Sequence, residues 1–141
     1  MILSGFFLHK IPPLCTTQLE DEIMNITDHF IPVFASNLES AVAHYEKITG
    51  KPSDRQWAIP DAELQLASVY PYVIVSGTEQ ALELAKNLRS VVYVDSMTEL
   101  KAILAAEGTP IVRDQHGPVG PSIFVEHPDG TFIEYVEPRG Q

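Results

Sequence analysis

Cysteine and long hydrophobic runs are nearly absent from this sequence. The only cysteine is Cys15, so no intramolecular disulfide can form and nothing requires an oxidising compartment. No run of about 18 apolar residues occurs, which argues against a transmembrane helix. The N-terminal stretch MILSGFFLHK lacks the basic lead and the small-residue cleavage site of a secretory signal. We therefore expect a cytoplasmic protein.

Basic residues are also scarce. Nine lysines and arginines stand against 19 aspartates and glutamates, which gives a formal net charge of -10. An acidic surface repels both the phosphate backbone of nucleic acids and anionic membranes. We expect neither as a partner.

The motifs of several enzyme classes are missing. The sequence contains no G-x-S-x-G nucleophile motif and no glycine-rich phosphate loop, and Cys15 has no patterned partner. These absences argue against acyl transfer and against nucleotide-dependent phosphoryl transfer.

The chain is long enough for one domain with a real core. Its 141 residues are 45% hydrophobic and 20% charged, a balance typical of globular proteins. Residues 1–23 differ from the rest, because they hold the pair Pro12-Pro13 and an acidic cluster at 20–22 and show no sustained period. We interpret residues 1–23 as an N-terminal arm or extension, a candidate for disorder, and residues 24–141 as a single domain.

A strand followed by a helix occurs twice in this domain. Residues 26–35 have strand composition, and Ser36 with Glu39 fits the S-x-x-E capping box at a helix start. Apolar residues then recur at helical spacing until Gly50, which favours a left-handed helix stop. These patterns predict an amphipathic helix between residues 36 and 50.

The second copy has the same order. Residues 90–95 form the strand candidate, Ser96 and Glu99 the capping pair, and Gly108 the stop. An offset of 59 aligns the apolar positions of the two copies, and an offset of 60 aligns the capping boxes. Boundary uncertainty of one residue is ordinary for helices.

Several short strand candidates follow each helix. They are RQWAI, ELQLASV and YVIVSG after the first helix, and PIVRD, PSIFVEH and TFIEYVE after the second. Residues 78–88 have helical composition and link the halves. We therefore predict an α+β fold of two βαβββ modules, residues 25–77 and 89–138.

The closing segment, HPDGTFIEYVEP at residues 127–138, carries a carboxylate in an unusual place. Asp129-Gly130 predicts a turn, and residues 131–136 predict a strand. Side chains alternate between the faces of a strand, so Phe132, Glu134 and Val136 share one face. Glu134 therefore lies in the middle of a largely apolar strand.

Together these residues resemble the vicinal oxygen chelate superfamily, which includes glyoxalase, extradiol dioxygenases and the bleomycin-resistance proteins. The similarity covers residues 25–138 and depends on the repeated βαβββ order, the helix starts and the ending HPDG-TFIEYVE. It implies a curved, cup-shaped mixed sheet with helices packed outside. It also implies a homodimer and a small-molecule ligand in the cup.

The resemblance further implies metal ligands that converge inside the cup. Glu134 matches the ligand position on the final strand, and a divalent cation such as Zn, Ni, Fe or Mn would offset its burial. His29 lies near the usual position on the first strand, nine residues before Leu38 where family members have eight; a bulge at Pro32 would restore its register. His116 is the third candidate ligand.

Four further residues are candidate lining residues of the cup. They are Trp57, Tyr72, Arg89 and Phe132. Aromatic walls suit small hydrophobic ligands, although packing in a core is an alternative for the aromatic members. The remaining ligand positions, at residues 73–75 and at Arg89 or Ser90, offer no usual metal ligand.

Two functions therefore remain open. In the first, a divalent metal held by Glu134, His29 and His116 assists lyase, isomerase or dioxygenase chemistry on adjacent oxygens, and Glu134 is the catalytic carboxylate. In the second, the cup binds a small molecule or antibiotic without metal, as bleomycin-resistance proteins do. For Glu134 the plainer alternative is exposure to water or pairing with Arg113.

Overall fold

The computed structural model describes residues 24–139. Within this range the strands are β1 (Ile26–Ala35), β2 (Arg55–Ile59), β3 (Leu64–Val69), β4 (Tyr72–Gly77), β5 (Leu88–Val94), β6 (Ile111–His116), β7 (Pro121–Glu126) and β8 (Phe132–Val136). The α-helices are α1 (Leu38–Thr49), α2 (Glu79–Ala85) and α3 (Met97–Glu107), and a 3-10 helix spans Pro60–Ala62. The predicted N-terminal arm, residues 1–23, lies outside the described residues.

The two long helices begin and end with the same chemistry. At the start of α1 the Asn37 side chain accepts a hydrogen bond from the Ser40 N–H at 2.8 Å. At the start of α3 the Ser96 hydroxyl accepts one from the Glu99 N–H at 3.1 Å. Each helix ends at a left-handed glycine, as predicted.

The predicted cap of α1 was wrong by one residue. Asn37, rather than Ser36, lies where a side-chain oxygen reaches the N–H three residues ahead. Since Asn37 is the counterpart of Ser96, the helix starts differ by 96 − 37 = 59 positions. The offset that aligned the apolar residues therefore also aligns the true caps.

The predicted helical link between the halves is α2. Its start is capped by Thr78, whose hydroxyl accepts a hydrogen bond from the Ala81 N–H at 3.1 Å. Among the helices of residues 24–139, none is long and apolar enough to cross a membrane.

The strands form one mixed sheet in the order β2-β3-β4-β1-β5-β8-β7-β6. The first strands of the modules, β1 and β5, pair antiparallel at the centre. Each also pairs parallel with the last strand of its own module, β1 with β4 and β5 with β8. The βαβββ order occurs twice about this central pair, and the sheet curls into a half-barrel, which confirms the predicted fold class.

The two faces of the sheet pack differently. On the outer face, α1 covers Ala67, Val69 and Ile74 of the first module. On the same face, α3 covers a second cluster of Val92, Val94, Ile123, Val125 and Tyr135. We call the opposite side the inner face; its core members are Phe30, Leu66, Val73, Val75, Val91 and Val136, together with Leu82 of α2. The prediction that helices pack outside therefore holds for α1 and α3, while α2 contacts the inner face.

Candidate functional site

Glu134 lies on the inner face, in the middle of β8. Its neighbour Tyr135 belongs to the outer cluster, whereas Val136 belongs to the inner one. Strand alternation puts Glu134 on the same side as Val136.

One row of paired residues crosses the inner face at this level. Phe30 of β1 pairs with Val91 of β5, Val91 pairs with Glu134, Glu134 pairs with Phe124 of β7, and Phe124 pairs with Arg113 of β6. The two immediate partners of Glu134 are therefore an aliphatic and an aromatic side chain. Directly opposed side chains in a sheet lie within contact distance.

This apolar setting changes the acidity of the carboxyl group. Burial raises the pKa of Glu134 from its ordinary value of 4.5 to about 7, and an interaction with the Ser122 hydroxyl opposes that rise. The residue as a whole is partly exposed, while the carboxyl group itself is mostly enclosed. It can both donate and accept a proton near neutral pH.

No cation within residues 24–139 forms an ion pair with Glu134. Among residues 24–139, ion pairs within 4.0 Å are limited to Lys86 with Glu83 and Lys101 with Asp114. Arg113 lies two strands away in the row and does not pair with Glu134. The alternative of a salt bridge to Arg113 is therefore wrong.

Aromatic rings surround the approach to this carboxyl. The ring of Phe30 lies 4.8 Å from that of Tyr93 and 5.4 Å from that of Tyr70. On the other side of Glu134, the rings of Phe124 and Phe132 stack at 5.7 Å. The inner face thus offers flat apolar surfaces on both sides of one ionisable group.

A second carboxylate lies at one end of this surface. Asp28 pairs with Tyr93 across β1 and β5, and its Oδ1 accepts a hydrogen bond from the Tyr70 hydroxyl at 2.9 Å. Burial raises the pKa of Tyr93, nearby Arg55 opposes the rise, and the charges of Asp28 and Glu134 add to it. Tyr93 is therefore within electrostatic reach of both carboxylates.

A polar pair adjoins Glu134 on the side of β7. The Gln115 side-chain N–H donates to the Ser122 hydroxyl at 3.4 Å. Ser122 is buried, pairs with Val136 and also interacts with Glu134. These groups supply hydrogen-bonding capacity next to the carboxyl.

A cleft lies beside Glu134 rather than over it. It has a volume of about 770 Å³. Its lining residues on the inner face include Phe34, Leu88 and Phe132. Because Phe132 precedes Glu134 by two residues on β8, the cleft continues the surface around the carboxyl.

The structure does not bring the three predicted metal ligands together. His29 pairs with Val92 and His116 pairs with Pro121, which places both histidines on the outer face. The bulge expected at Pro32 is absent, since the β1–β4 register is continuous from Ile31 to Ala35. The irregularity of β1 lies instead between Ile26 and Asp28.

The donor set of the inner face does not fit a divalent metal. Protein sites for zinc and similar ions use three or more N, O or S ligands. In the row around Glu134 the partners are Phe30, Val91 and Phe124, none of which can ligate a metal. Among residues 24–139 there is no group of three or more His, Cys, Asp or Glu placed to hold an ion.

The four predicted lining residues divide between the faces. Trp57 and Phe132 lie on the inner face, and Arg89 and Phe132 line the cleft. Tyr72 lies on the outer face, where its ring is 4.6 Å from that of Tyr45 in α1, so its assignment to the cup was wrong. The register of β4 decides the face on which Tyr72 lies, and the sequence alone does not fix that register.

Several inner-face residues were not predicted from the sequence. They are Asp28, Phe30, Tyr93, Ser122 and Phe124. The sequence held one indication of this. The resemblance implies a site residue eight positions before Leu38, and the residue at that distance is Phe30, which lies in the row of Glu134.

Known structures share this architecture, although no model of a protein family and no curated protein matches the sequence. An uncharacterised protein from Methanosarcina mazei is 29% identical, with a TM-score of 0.77 over 83% of this chain and 96% of its own. Methylmalonyl-CoA epimerase from Mycobacterium tuberculosis is 19% identical, with a TM-score of 0.64 over 80% and 89%. A Streptomyces coelicolor methylmalonyl-CoA epimerase in complex with 2-nitronate-propionyl-CoA is 16% identical, with a TM-score of 0.65 over 82% and 97%.

TM-scores of 0.64 to 0.77 over at least 80% of this chain show that these structures share its overall fold. They confirm the resemblance read from the sequence, and the chain has the fold of the vicinal oxygen chelate superfamily, the glyoxalase-like fold.

Proposed function

We propose that this chain binds a small organic molecule on its inner face without a metal ion. The observation that carries the proposal is the row in which Val91 and Phe124 flank Glu134. A ligand there meets apolar surface and a single carboxyl group. Such a combination fixes orientation through one polar contact while the apolar surface supplies most of the binding free energy.

The surroundings of Glu134 indicate the chemistry of the ligand. The rings of Phe30, Tyr93 and Phe124 favour a flat or aliphatic body. A carboxyl with a pKa of about 7 favours a ligand that brings a hydrogen-bond donor or an amine. An amine would also gain from the aromatic faces and from the acidic chain.

The similar structures support a small-molecule role for this fold. Two of them are named as methylmalonyl-CoA epimerases, and one holds a CoA derivative. With identities below 20%, this support extends to the kind of site and not to the substrate.

A ligand screen tests the proposal directly. Aryl amines and the matching neutral aryl amides would be tested by thermal shift, with and without EDTA, on wild type, Glu134→Gln and the exposed-site control Glu107→Gln. We expect aryl amines to stabilise wild type and Glu107→Gln equally in EDTA and to lose their effect on Glu134→Gln. Binding that requires a divalent ion, or that is unchanged in Glu134→Gln, would reject the proposal.

Proton transfer is a second candidate function, favoured by the raised pKa of Glu134 alone. A carboxyl that titrates near neutrality suits a general acid or base. Its test is the incorporation of deuterium from D2O into a bound carbon acid, measured by mass spectrometry. Loss of incorporation in Glu134→Gln with retained binding would support catalysis, and no incorporation by wild type would reject it.

The resemblance also leads us to propose a homodimer. Size-exclusion chromatography with light scattering tests this, because dimer and monomer differ twofold in mass. A monomer across the micromolar range would reject it.

A further inference from the structure

The cleft beside the inner face concentrates positive charge in a negatively charged protein. Its twelve lining residues are Ile31, Pro32, Phe34, Leu84, Lys86, Asn87, Leu88, Arg89, Glu126, Gly130, Thr131 and Phe132. They include two cations and one acid, whereas the chain as a whole has nine cations and 19 acids. The local balance of charge is therefore opposite to the global one.

These cations are available to a ligand. Arg89 forms no ion pair within 4.0 Å in the part of the chain that the structure describes. Lys86 lies 3.6 Å from Glu83, but both side chains are more than half exposed, and such a pair contributes little. Asn87, between them, adds an amide that can donate hydrogen bonds.

Exposed apolar side chains also line the cleft. Leu84 is 81% exposed and Ile31 is 45% exposed, and both line the cleft. Phe34 and Phe132 continue this surface toward the inner face. Large apolar side chains exposed together beside cations that no buried ion pair neutralises are typical of a binding site.

We propose that this cleft binds the anionic group of an amphipathic ligand, a carboxylate or a phosphate. The anion lies between Lys86 and Arg89, and the apolar body lies against Leu84 and Phe132. Arg89 presents a fork of N–H donors that matches either anion. This deepens the proposed function and rests on it, because the cleft continues the face that carries Glu134.

Glu126 limits the affinity of the cleft for an anion. Its carboxylate lines the same cleft, and no ion pair within 4.0 Å neutralises it among residues 24–139. Like charges repel, so Glu126 weakens the binding of any anion and does so most for a dianion. Removal of this one charge therefore strengthens anion binding if the cleft is the site.

The test uses NMR titration of the ¹⁵N-labelled full chain with three probes: benzoate, phenyl phosphate and neutral benzamide. We expect both anions to shift the amide signals of Leu88, Thr131 and Phe132 and to bind more tightly than benzamide. If benzoate binds more tightly, the preferred group is a carboxylate; if phenyl phosphate binds more tightly, it is a phosphate.

Charge variants with a matched control complete the design. Arg89→Gln is expected to weaken both anions by about fivefold, and Glu126→Gln to strengthen them, with phenyl phosphate gaining more. The control Lys47→Gln removes an exposed cation of α1 and is expected to change neither affinity. Raising the salt concentration reduces the difference between anions and benzamide.

Three outcomes would overturn the proposal. They are anion affinity equal to that of benzamide, equal effects of Arg89→Gln and Lys47→Gln, and no shifts at Leu88, Thr131 and Phe132. Failure of the proposed function would be seen in a different experiment. In that case Glu134→Gln would leave the binding of aryl amines unchanged, and this result does not depend on how Arg89→Gln changes the binding of anions.

Discussion

Val91 of β5 and Glu134 of β8 are direct partners across a parallel strand pair, so an aliphatic side chain lies beside the carboxyl group. Phe124 occupies the other side of Glu134. The carboxyl group therefore loses water without gaining a cation from the described part of the chain, and the rise of its pKa to about 7 follows.

The pH dependence of stability tests this setting. The pKa of Glu134 is 4.5 ordinarily and about 7 in the folded chain, so the folded state binds more protons between these values. The stabilisation that this raised pKa represents is complete below about pH 4.5 and is lost as pH rises through 7, a change of at most about 3 kcal/mol. Urea denaturation at several pH values between 4 and 8.5 measures the change.

Glu134→Gln removes the titrating group and is expected to flatten this part of the profile. Its stability relative to wild type should rise between pH 5 and 8. Glu107→Gln, at the exposed end of α3, should keep the wild-type slope. Parallel profiles for wild type and Glu134→Gln would contradict the buried position of the carboxyl.

Divalent ions provide the second prediction. We expect Zn²⁺, Ni²⁺ and Mn²⁺ to shift the melting temperature of wild type and Glu134→Gln by equal amounts, because residues 24–139 place no group of three or more ligands that could hold an ion. Contributions from residues outside 24–139 are common to both proteins and cancel. A shift specific to wild type would contradict the prediction.

A gain of metal binding gives the converse test. Phe30→His together with Val91→His would place two imidazoles in the row of Glu134, and three such ligands suit zinc. We expect the double variant to bind Zn²⁺ at least about tenfold more tightly than wild type, a gain of about 1.4 kcal/mol. Isothermal titration calorimetry measures it, and adding Glu134→Gln should remove the gain.

Gly117 and Gly120, between β6 and β7, differ in the space available for a side chain. A Cβ at Gly120 would collide with the carbonyl oxygen of Glu137 and lie 3.2 Å from the N of Arg139, whereas at Gly117 the nearest atom is 3.9 Å away. Gly120→Ala is therefore expected to cost about 1–3 kcal/mol and Gly117→Ala much less. Urea denaturation measures the free energy of unfolding of both variants. Equal losses would contradict the prediction, because they would mean that the backbone at Glu137 and Arg139 moves away from the new Cβ at little cost.

A partly buried polar contact joins His127 and Tyr135 on the outer face. His127 Nε2 and the Tyr135 hydroxyl are 2.7 Å apart, and Tyr135 is buried. Tyr135→Phe is expected to cost about 1 kcal/mol, since the partner group loses its hydrogen bond. The control is Tyr45→Phe, because the Tyr45 hydroxyl makes no hydrogen bond within residues 24–139; similar melting temperatures for both variants would contradict the prediction.

Local chemistry made much of the fold predictable. Gly50, Gly108 and the Ser96 cap act over three or four residues, so they reveal helix ends without tertiary information. The strand RQWAI was predicted with the bounds that the structure has. The cap of α1 differed by one residue because Ser36 and Asn37 have similar capping propensity and only the backbone path chooses between them.

The candidate site was less predictable because register is not a local property. His29 and Phe30 are adjacent in sequence, yet one faces outward with Val92 and the other inward with Val91. A slip of one residue reverses the faces of a strand, and the position of a bulge decides that slip. The bulge lies near Ile26 instead of Pro32, which keeps the histidine away from Glu134.

The sequence by itself determined the duplicated βαβββ order, the helix stops and the position of a carboxylate in the middle of the closing strand, because these depend on residue type and short-range spacing. Only the tertiary structure decided which residues share a face with Glu134. Pairing between distant strands set the row of Phe30, Val91 and Phe124, and the approach of residues 84–89 to residues 130–132 created the cationic cleft. Such pairings depend on long-range contacts that no local pattern records.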